Sequence, residues 1–158
     1  MNTFSTLVTR NDVLLEIDAS DRKNLFLELA AAWSRFHCVD ASDVEARLSA
    51  REGLGSTGLG EGVAIPHARI EGLNRAIGAV VRLKSPIPFD SPDGKLVKLC
   101  FALLVPEEAT EEHLQILADA VQLLAEPRLR DSLDLCKSPE AVCDLLASWH
   151  QAAPGGVT

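Results

Sequence analysis

The sequence contains no tyrosine, and aromatic residues make up only 4% of its 158 positions. Basic residues are also scarce, because 15 lysines and arginines stand against 23 acidic residues and give a net charge of −8. Nucleic-acid binding needs a basic surface and often aromatic rings for base stacking, so nucleic acid is not expected as the main ligand. The longest apolar run, Leu99–Val105, is far shorter than the roughly 20 residues of a spanning helix. No membrane insertion is therefore expected.

The cysteines lack the spacing of a metal site. Cys38, Cys100, Cys136 and Cys143 form no CxxC pair and no zinc-type pattern with paired histidines. Each stands among apolar neighbours, as small core residues do. We therefore expect reduced core thiols in a cytoplasmic protein rather than disulfides or a metal centre. The N-terminus has no basic stretch followed by an apolar one, so no signal peptide is predicted.

The rest of the composition, 47% hydrophobic and 24% charged, is typical of an ordinary globular protein. A chain of this length is expected to form one domain, which buries close to ~70% of its unfolded surface. We place that domain at residues 7–150. The polar opening Met1–Ser5 and the tail 151–158, which contains Pro154-Gly155-Gly156, are expected to be loose.

The hydrophobic pattern predicts an α/β sandwich. Val13–Ile17 is a short apolar stretch that suits either a strand or a lead-in to the first helix. Ala76–Leu83 and Val97–Val105 are apolar enough for strands covered on both faces. A first helix is predicted over Asp21–His37 after an N-cap at Ser20, and a second from a capping box at Ser42–Glu45 to about Arg51, with Gly53 ending it. A third is predicted over Glu111–Glu126 after Thr110, and a short fourth after Pro127. The last runs from Ser138-Pro139 to about His150. Helices before, between and after buried strands favour a mixed sheet flanked by helices.

Residues 51–69 are the most informative segment, because five glycines lie within ten positions there. Such density favours close backbone approach and exposes many N–H donors. The run Gly53–Gly58 matches GxGxxG, yet a helix precedes it and the extended segment Val63–Pro66 follows. This order is the reverse of a dinucleotide-binding unit, and no P-loop sequence occurs.

His67 follows Ile65-Pro66, which leaves the backbone little freedom and presents the next side chain in a defined direction. A neutral imidazole is a good nucleophile near neutral pH, provided that one ring nitrogen is held and the other keeps its lone pair. The structural alternative is a surface histidine beside a turn.

His113 is predicted at the third position of the helix that Thr110 caps. The positive end of the helix dipole disfavours the imidazolium there and favours a neutral N–H donor close to any bound anion. The alternative is a partly buried histidine in the place of a capping-box glutamate.

Several residues near His67 have groups suited to an anion. Arg51 offers a planar fork, although an arginine in the last turn of a helix is also favoured by the dipole alone. Ser56, Thr57 and Gly58 offer hydroxyl or N–H donors, or make only turn bonds. Glu61 either orients an imidazole or lies in solvent.

These residues together resemble a known signature. Arg51–Gly58 followed by Ala64–His67 is similar to the motif of enzyme IIA of the sugar phosphotransferase system, fructose/mannitol class. Leu103–Pro106 and His113-Leu114 agree with it, so that the resemblance covers about Leu7 to Trp149. Within that class, Pro86–Asp90 and the lack of an attached IIB or IIC domain resemble the nitrogen-regulatory branch.

The resemblance implies a IIA-type α/β domain in which His67 accepts a phosphoryl group from an HPr-like, nitrogen-type phosphocarrier protein. It also implies that His113 and Arg51 are the active-site companions of His67. From their own donor and acceptor groups, Ser56, Thr57 and Gly58 are further candidates for stabilising the phosphoryl group, and Glu61 for orienting the imidazole. No cofactor or metal is expected, because the donor is already activated.

Three functions agree with these observations. The first is a regulatory phosphocarrier that signals to target proteins through its phosphorylation state. The second is a sugar-transport IIA that passes the group to a IIB partner, and the third is a non-catalytic anion-binding module. A separate feature is an acidic cluster before and within the His113 helix: Glu107, Glu108, Glu111 and Glu112. It either complements the helix dipole or steers a carrier that has a basic face.

Overall fold

A six-stranded mixed sheet forms the centre of the protein, seen in a computed structural model that describes residues 2–149. Its strands are β1 (Val13–Ile17), β2 (Gly58–Gly60), β3 (Val63–Ala64), β4 (His67–Ile70), β5 (Ile77–Ile87) and β6 (Val97–Pro106). The order is β1-β5-β6-β3-β2, and β4 also pairs with β6. β5 and β6 are antiparallel, whereas β1 is parallel to β5, and β3 and β4 are parallel to β6. The predicted sandwich with a mixed sheet is confirmed.

The helices lie on both faces of this sheet. They are α1 (Arg22–His37), α2 (Ala41–Leu54), α3 (Glu111–Leu124), α4 (Pro127–Leu135) and α5 (Pro139–Ser148). One apolar cluster joins α1 and α2 to one face of the sheet, and a second joins α3, α4 and α5 to the other. Alternation along β6 produces both, because Ala102 and Leu104 belong to the first cluster while Leu103 and Val105 belong to the second.

Two predicted helix boundaries are wrong. Asp21, not Ser20, is the N-cap of α1, since its carboxylate accepts the N–H of Asn24 at 2.8 Å. α2 begins at Ala41, one residue before the predicted capping box, so that Ser42 lies inside the helix and its hydroxyl bonds to the Asp40 carboxylate. Two cap-forming residues lie close together at each site, Ser20 next to Asp21 and Asp40 two residues before Ser42, and tertiary packing decides between them.

The predicted helix ends also differ. Gly53 remains helical, and α2 continues to Leu54 before Gly55. α3 begins after Thr110 as predicted but ends at Leu124. Ser138 caps α5 by accepting the N–H of Ala141 at 3.1 Å. The predicted helix end at His150 and the predicted tail 151–158 lie outside the described residues.

The N-terminal segment packs against the second cluster, which differs from the loose opening expected from its polar sequence. Phe4 is fully buried and stacks on Phe101 of β6, with the ring centroids 4.8 Å apart. The N–H and hydroxyl of Thr3 both donate to the Asp119 carboxylate of α3. A single buried ring therefore anchors a segment whose composition does not indicate order.

The cysteines occupy three kinds of environment, and all four thiols are free. Cys100 is buried in β6, Cys136 and Cys143 are half-buried, and Cys38 is exposed at the end of α1. The core-thiol prediction is therefore right for Cys100 and wrong for Cys38. Among residues 2–149, no helix has the length and apolar character needed to cross a membrane.

Candidate functional site

His67 stands at a break between two short strands that both pair with β6. β3 ends at Ala64, Ile65 and Pro66 interrupt the ladder, and β4 begins at His67. The ring Nδ1 lies 2.8 Å from the carbonyl oxygen of Ile65. A carbonyl can only accept, so Nδ1 carries the proton, and the lone pair of the neutral ring is on Nε2.

The surroundings of His67 keep its ring neutral. Partial burial is the main cause that lowers the pKa of His67 below its ordinary value, and the charge of Arg51 lowers it further. The hydrogen bond to Ile65 and the charge of Glu52 act in the opposite direction. Because the net shift is downward, Nε2 has a free lone pair at neutral pH.

A cavity of about 520 Å³ opens beside His67, between the end of α2 and the start of α3. It is lined by Arg47, Ala50, Arg51, Leu54, His67, Ala68, Arg69, Leu103, Val105, Ala109, His113, Leu114 and Leu117. The fold therefore brings His67, Arg51 and His113 to one cavity from three separate elements. Their meeting could not be established from spacing, because His113 lies far from His67 in the sequence.

His113 has a defined tautomer as well. Its Nδ1 accepts the backbone N–H of Thr110 at 3.0 Å, as a capping-box glutamate does. The proton of the neutral ring is then on Nε2, which makes that atom a hydrogen-bond donor. His113 therefore caps α3 and also lines the cavity, although the sequence alone presents these two roles as alternatives.

Three arginines line the cavity, and the described residues of its wall include no acidic side chain. Arg51 donates to the carbonyl oxygen of Gly55 at 2.8 Å, just beyond the end of α2. Arg47 lies one helical turn earlier on α2, and Arg69 is two residues after His67 on β4 and so faces the same side of that strand. The cavity is thus locally positive in a chain of net charge −8.

Ser56, Thr57 and Gly58 do not line the cavity, and their polar groups have partners elsewhere. The Ser56 hydroxyl donates to the carbonyl of Phe89 and accepts the N–H of Gly58. The N–H and hydroxyl of Thr57 donate to the two oxygens of the Glu52 carboxylate, at 2.8 and 2.7 Å. These bonds hold the segment after α2 against the helix.

Glu61 lies away from the cavity wall. Its carboxylate accepts from the Lys95 ammonium group at 3.4 Å, and its backbone N–H donates to Asp93 at 2.8 Å. Both side chains of the Glu61–Lys95 pair are well exposed, so that the pair contributes little to stability.

Two residues that the sequence did not single out belong to this region. Arg47 lines the cavity, and its spacing of four residues from Arg51 is a signal that could have found it. Glu52 is buried at the end of α2, where it accepts from Thr57 and from Arg22 at 3.3 Å. Apart from its place in the Arg51–Gly58 motif, nothing in the sequence indicates that Glu52 is buried, since a glutamate near a helix end is normally exposed.

Comparison with known proteins agrees with this arrangement. The family model for the phosphoenolpyruvate-dependent sugar phosphotransferase system, EIIA 2, matches residues 6–149. The chain belongs to this family. The suspected relationship to enzyme IIA of the phosphotransferase system is thereby confirmed.

Relatives of this EIIA 2 protein include regulatory and sugar-specific members. It is 38% identical to a nitrogen regulatory protein of Pseudomonas aeruginosa, with 92% of this chain and 96% of that protein covered. It is also 38% identical to a fructose-specific EIIA component of Haloferax volcanii, over 69% of this chain and 75% of that one. The crystal structure of the nitrogen regulatory protein IIA-Ntr from Neisseria meningitidis matches with a TM-score of 0.84 and 42% identity, covering 90% and 97% of the two chains.

Proposed function

We propose that this EIIA 2 protein is a regulatory phosphocarrier in which Nε2 of His67 accepts a phosphoryl group and the phosphorylation state is the signal. The observation that carries this proposal is the hydrogen bond between Nδ1 of His67 and the Ile65 carbonyl. It leaves the lone pair on Nε2, beside a cavity whose wall holds three arginines and the Nε2–H of His113. A nucleophilic nitrogen therefore lies beside positive charge that can stabilise the phosphoryl oxygens, as phosphoryl transfer requires.

The transfer is in line and needs no proton movement at the acceptor. Nε2 of His67 forms the new N–P bond while the N–P bond of a donor phosphohistidine breaks, and the donor ring takes back that electron pair. The His67 ring gains positive charge as the bond forms, because Nδ1 keeps its proton. The Ile65 carbonyl, which accepts that proton in a hydrogen bond, stabilises this charge.

Arg51 and His113 are proposed to stabilise the transferring group. Arg51 supplies a fixed positive charge close enough to lower the pKa of His67. His113 supplies a neutral N–H at the first turn of α3, where the helix dipole also favours an anion. Ser56, Thr57 and Gly58 act indirectly, since their bonds fix the segment between α2 and β3. An orienting role for Glu61 stays a prediction.

The regulatory role is favoured over sugar transport by the coverage and branch of the relatives, since the two nitrogen regulatory proteins align along most of the chain. The fructose-specific relative supports a sugar-transport IIA as the second candidate. The phospho-protein should therefore be offered a fructose- or mannitol-type IIB domain. Prompt transfer to that domain would overturn the regulatory proposal in favour of transport.

The first experiment is phosphotransfer from a phosphorylated, HPr-like nitrogen-type carrier, followed by intact-mass measurement. We expect the wild type to gain one acid-labile phosphoryl group and His67→Ala to gain none. An equal gain by His67→Ala would refute the assignment of the acceptor. No covalent gain by the wild type would instead indicate the non-catalytic anion-binding module.

His113 permits a matched pair of variants. In His113→Gln the amide oxygen can still accept the N–H of Thr110, as glutamine does in a capping box, but the cavity loses the imidazole N–H. His113→Ala loses both. We expect phosphotransfer to slow about 10²-fold or more in both variants, and helix stability to fall only in the alanine variant. Wild-type rates in His113→Ala, which has no side-chain donor, would leave His113 with the capping role alone.

A target protein is expected to bind one phosphorylation state in preference to the other, because a phosphoryl group on His67 adds about −2 charge there. Pull-down with wild type and His67→Ala, each with and without the phosphorylated carrier, tests this. A regulatory target distinguishes the two states of the wild type and treats His67→Ala as unphosphorylated throughout. The cytoplasmic location expected from the sequence stays a prediction.

A further inference from the structure

Arg47, which lines the cavity, links two elements of the fold. Its Nη1 lies 3.6 Å from Oε1 of Glu107, which precedes α3, and its Nε lies 3.6 Å from the Asp43 carboxylate on α2 itself. Glu107 is the first residue after β6, and its N–H donates to the Ile70 carbonyl at the end of β4. The Arg47–Glu107 pair therefore ties α2 to the segment that leads to Thr110 and His113.

This pair is weak enough to exchange. The Arg47 side chain is 38% exposed and that of Glu107 48% exposed, and both separations exceed a normal hydrogen-bond length. An exposed pair of this kind changes an equilibrium by roughly fivefold at most. A phosphoryl group presents about twice the charge of a carboxylate and three acceptor oxygens, which match the arginine fork.

We propose that Arg47 is a phosphoryl-binding residue, and that phosphorylation of His67 draws its guanidinium away from Glu107. The inference rests on the proposed function, because it requires a phosphoryl group on His67. Arg47 and His67 line the same cavity, and a four-residue step on α2 puts Arg47 on the same face as Arg51. The unphosphorylated protein thus has α2 tied to the segment 107–110, and the phosphorylated protein has this segment released.

The exchange couples a chemical event in the cavity to a change at the surface. Release leaves the exposed carboxylate of Glu107 without its arginine partner, beside Glu108, which is also exposed. The same segment carries the N–H of Thr110 that fixes the His113 tautomer. A partner that contacts residues 107–110 can therefore distinguish the two states without reaching into the cavity.

The test uses phosphoramidate, a small phosphoryl donor, so that docking of a carrier plays no part. The variants are Arg47→Gln, Glu107→Gln and the matched control Glu108→Gln. The control removes a neighbouring negative charge, and Glu108 forms no ion pair with any described residue. Urea transitions first establish that each variant folds as the wild type does. The second ionisation of the phosphoryl group is then followed by phosphorus NMR against pH.

A nearby guanidinium favours the dianion, so we expect Arg47→Gln to raise the pKa of the phosphoryl group. Glu107→Gln should lower it by up to about a fivefold change in proton affinity, because Arg47 then has only the Asp43 carboxylate as a competing partner. Glu108→Gln should lower it by clearly less. Equal pKa values of the phosphoryl group in wild type and Arg47→Gln would overturn the proposal. Equal shifts of that pKa in Glu107→Gln and Glu108→Gln would also overturn it.

Amide hydrogen exchange gives the second readout. Phosphorylation should speed exchange in residues 107–110 of the wild type and of Glu108→Gln. In Glu107→Gln exchange should already be fast and should change little. If phosphorylation speeds hydrogen exchange equally in all three proteins, the proposed move of Arg47 from Glu107 to the phosphoryl group is overturned. The acceptor role of His67 would remain intact. If neither phosphoramidate nor the carrier loads His67, the proposed function fails, and this inference fails with it.

Discussion

Replacing Glu52 tests whether the buried carboxylate at the end of α2 supports the site. Its side chain is only 5% exposed, and it accepts from the N–H and hydroxyl of Thr57 and from Arg22. In Glu52→Gln the amide can keep these contacts by donating to the Thr57 hydroxyl, which can also accept. Three charge-assisted bonds then become weaker, and we expect a loss of about 1–3 kcal/mol in the free energy of unfolding.

Glu52→Ala removes every acceptor and leaves the Thr57 groups without a partner. Each unsatisfied buried donor costs about 1–3 kcal/mol, and with the lost Arg22 contact we expect a total of about 3–5 kcal/mol. With a urea slope of about 2 kcal/mol per molar, the unfolding midpoint should fall by about 1.5–2.5 M for alanine and about 0.5–1.5 M for glutamine. Glu28→Ala, at an exposed position on α1, is the control for loss of a glutamate.

The same variants have a second consequence at the site. The charge of Glu52 raises the pKa of His67, so its removal in Glu52→Gln should lower that pKa further. The ring-proton chemical shifts of His67, followed by NMR against pH, measure this change. If Glu52→Ala unfolds at the same urea concentration as Glu28→Ala, or if the pKa of His67 rises in Glu52→Gln, the assigned role of Glu52 is wrong.

Three further predictions concern pH, packing and the glycine-rich segment. Folding lowers the pKa of His67, so the unfolded chain binds this proton at a higher pH than the folded protein does. The free energy of unfolding should therefore fall as the pH drops below about 6.5. Urea titrations at several pH values should show that this pH dependence is absent from His67→Gln. Phe4→Ala should cost about 3–5 kcal/mol by the same assay, and a loss below about 1 kcal/mol would mean that Phe4 is not packed as described. Gly58→Ala puts its new carbon against Oγ of Ser91, so it should destabilise the protein, and Ser91→Ala should recover part of the loss. Strict additivity of the two substitutions in a double-mutant cycle would contradict this contact.

The long apolar strands are the part of the fold that the sequence predicts well. β5 and β6 are buried on both faces, and such strands are continuously apolar whatever packs on them. Phe4 shows the opposite case, since one aromatic residue in a polar stretch has no periodicity to indicate burial. The caps at Ser20 and Ser42 failed because neighbouring Asp21 and Asp40 are equally good cap residues.

The candidate site divides in the same way. His67, His113 and Arg51 are indicated by their neighbours along the chain, and the fold brings all three to one cavity. The hydrogen bonds of Ser56–Gly58 were not predictable, because their acceptors, the Glu52 carboxylate and the Phe89 carbonyl, are chosen by tertiary structure. Local sequence therefore indicates which groups are chemically suited to a task, while the fold determines which of them remain available for it.

The break between β3 and β4 has a consequence for regioselectivity. In an unbroken strand the carbonyl of Ile65 would point sideways, toward a neighbouring strand or the sheet edge, whereas here it accepts the proton of Nδ1 on His67. In the proposed transfer, the main chain therefore selects Nε2 as the reacting atom. Substitutions elsewhere in the cavity are then expected to change the rate of transfer and to leave the position of the new bond on the imidazole the same.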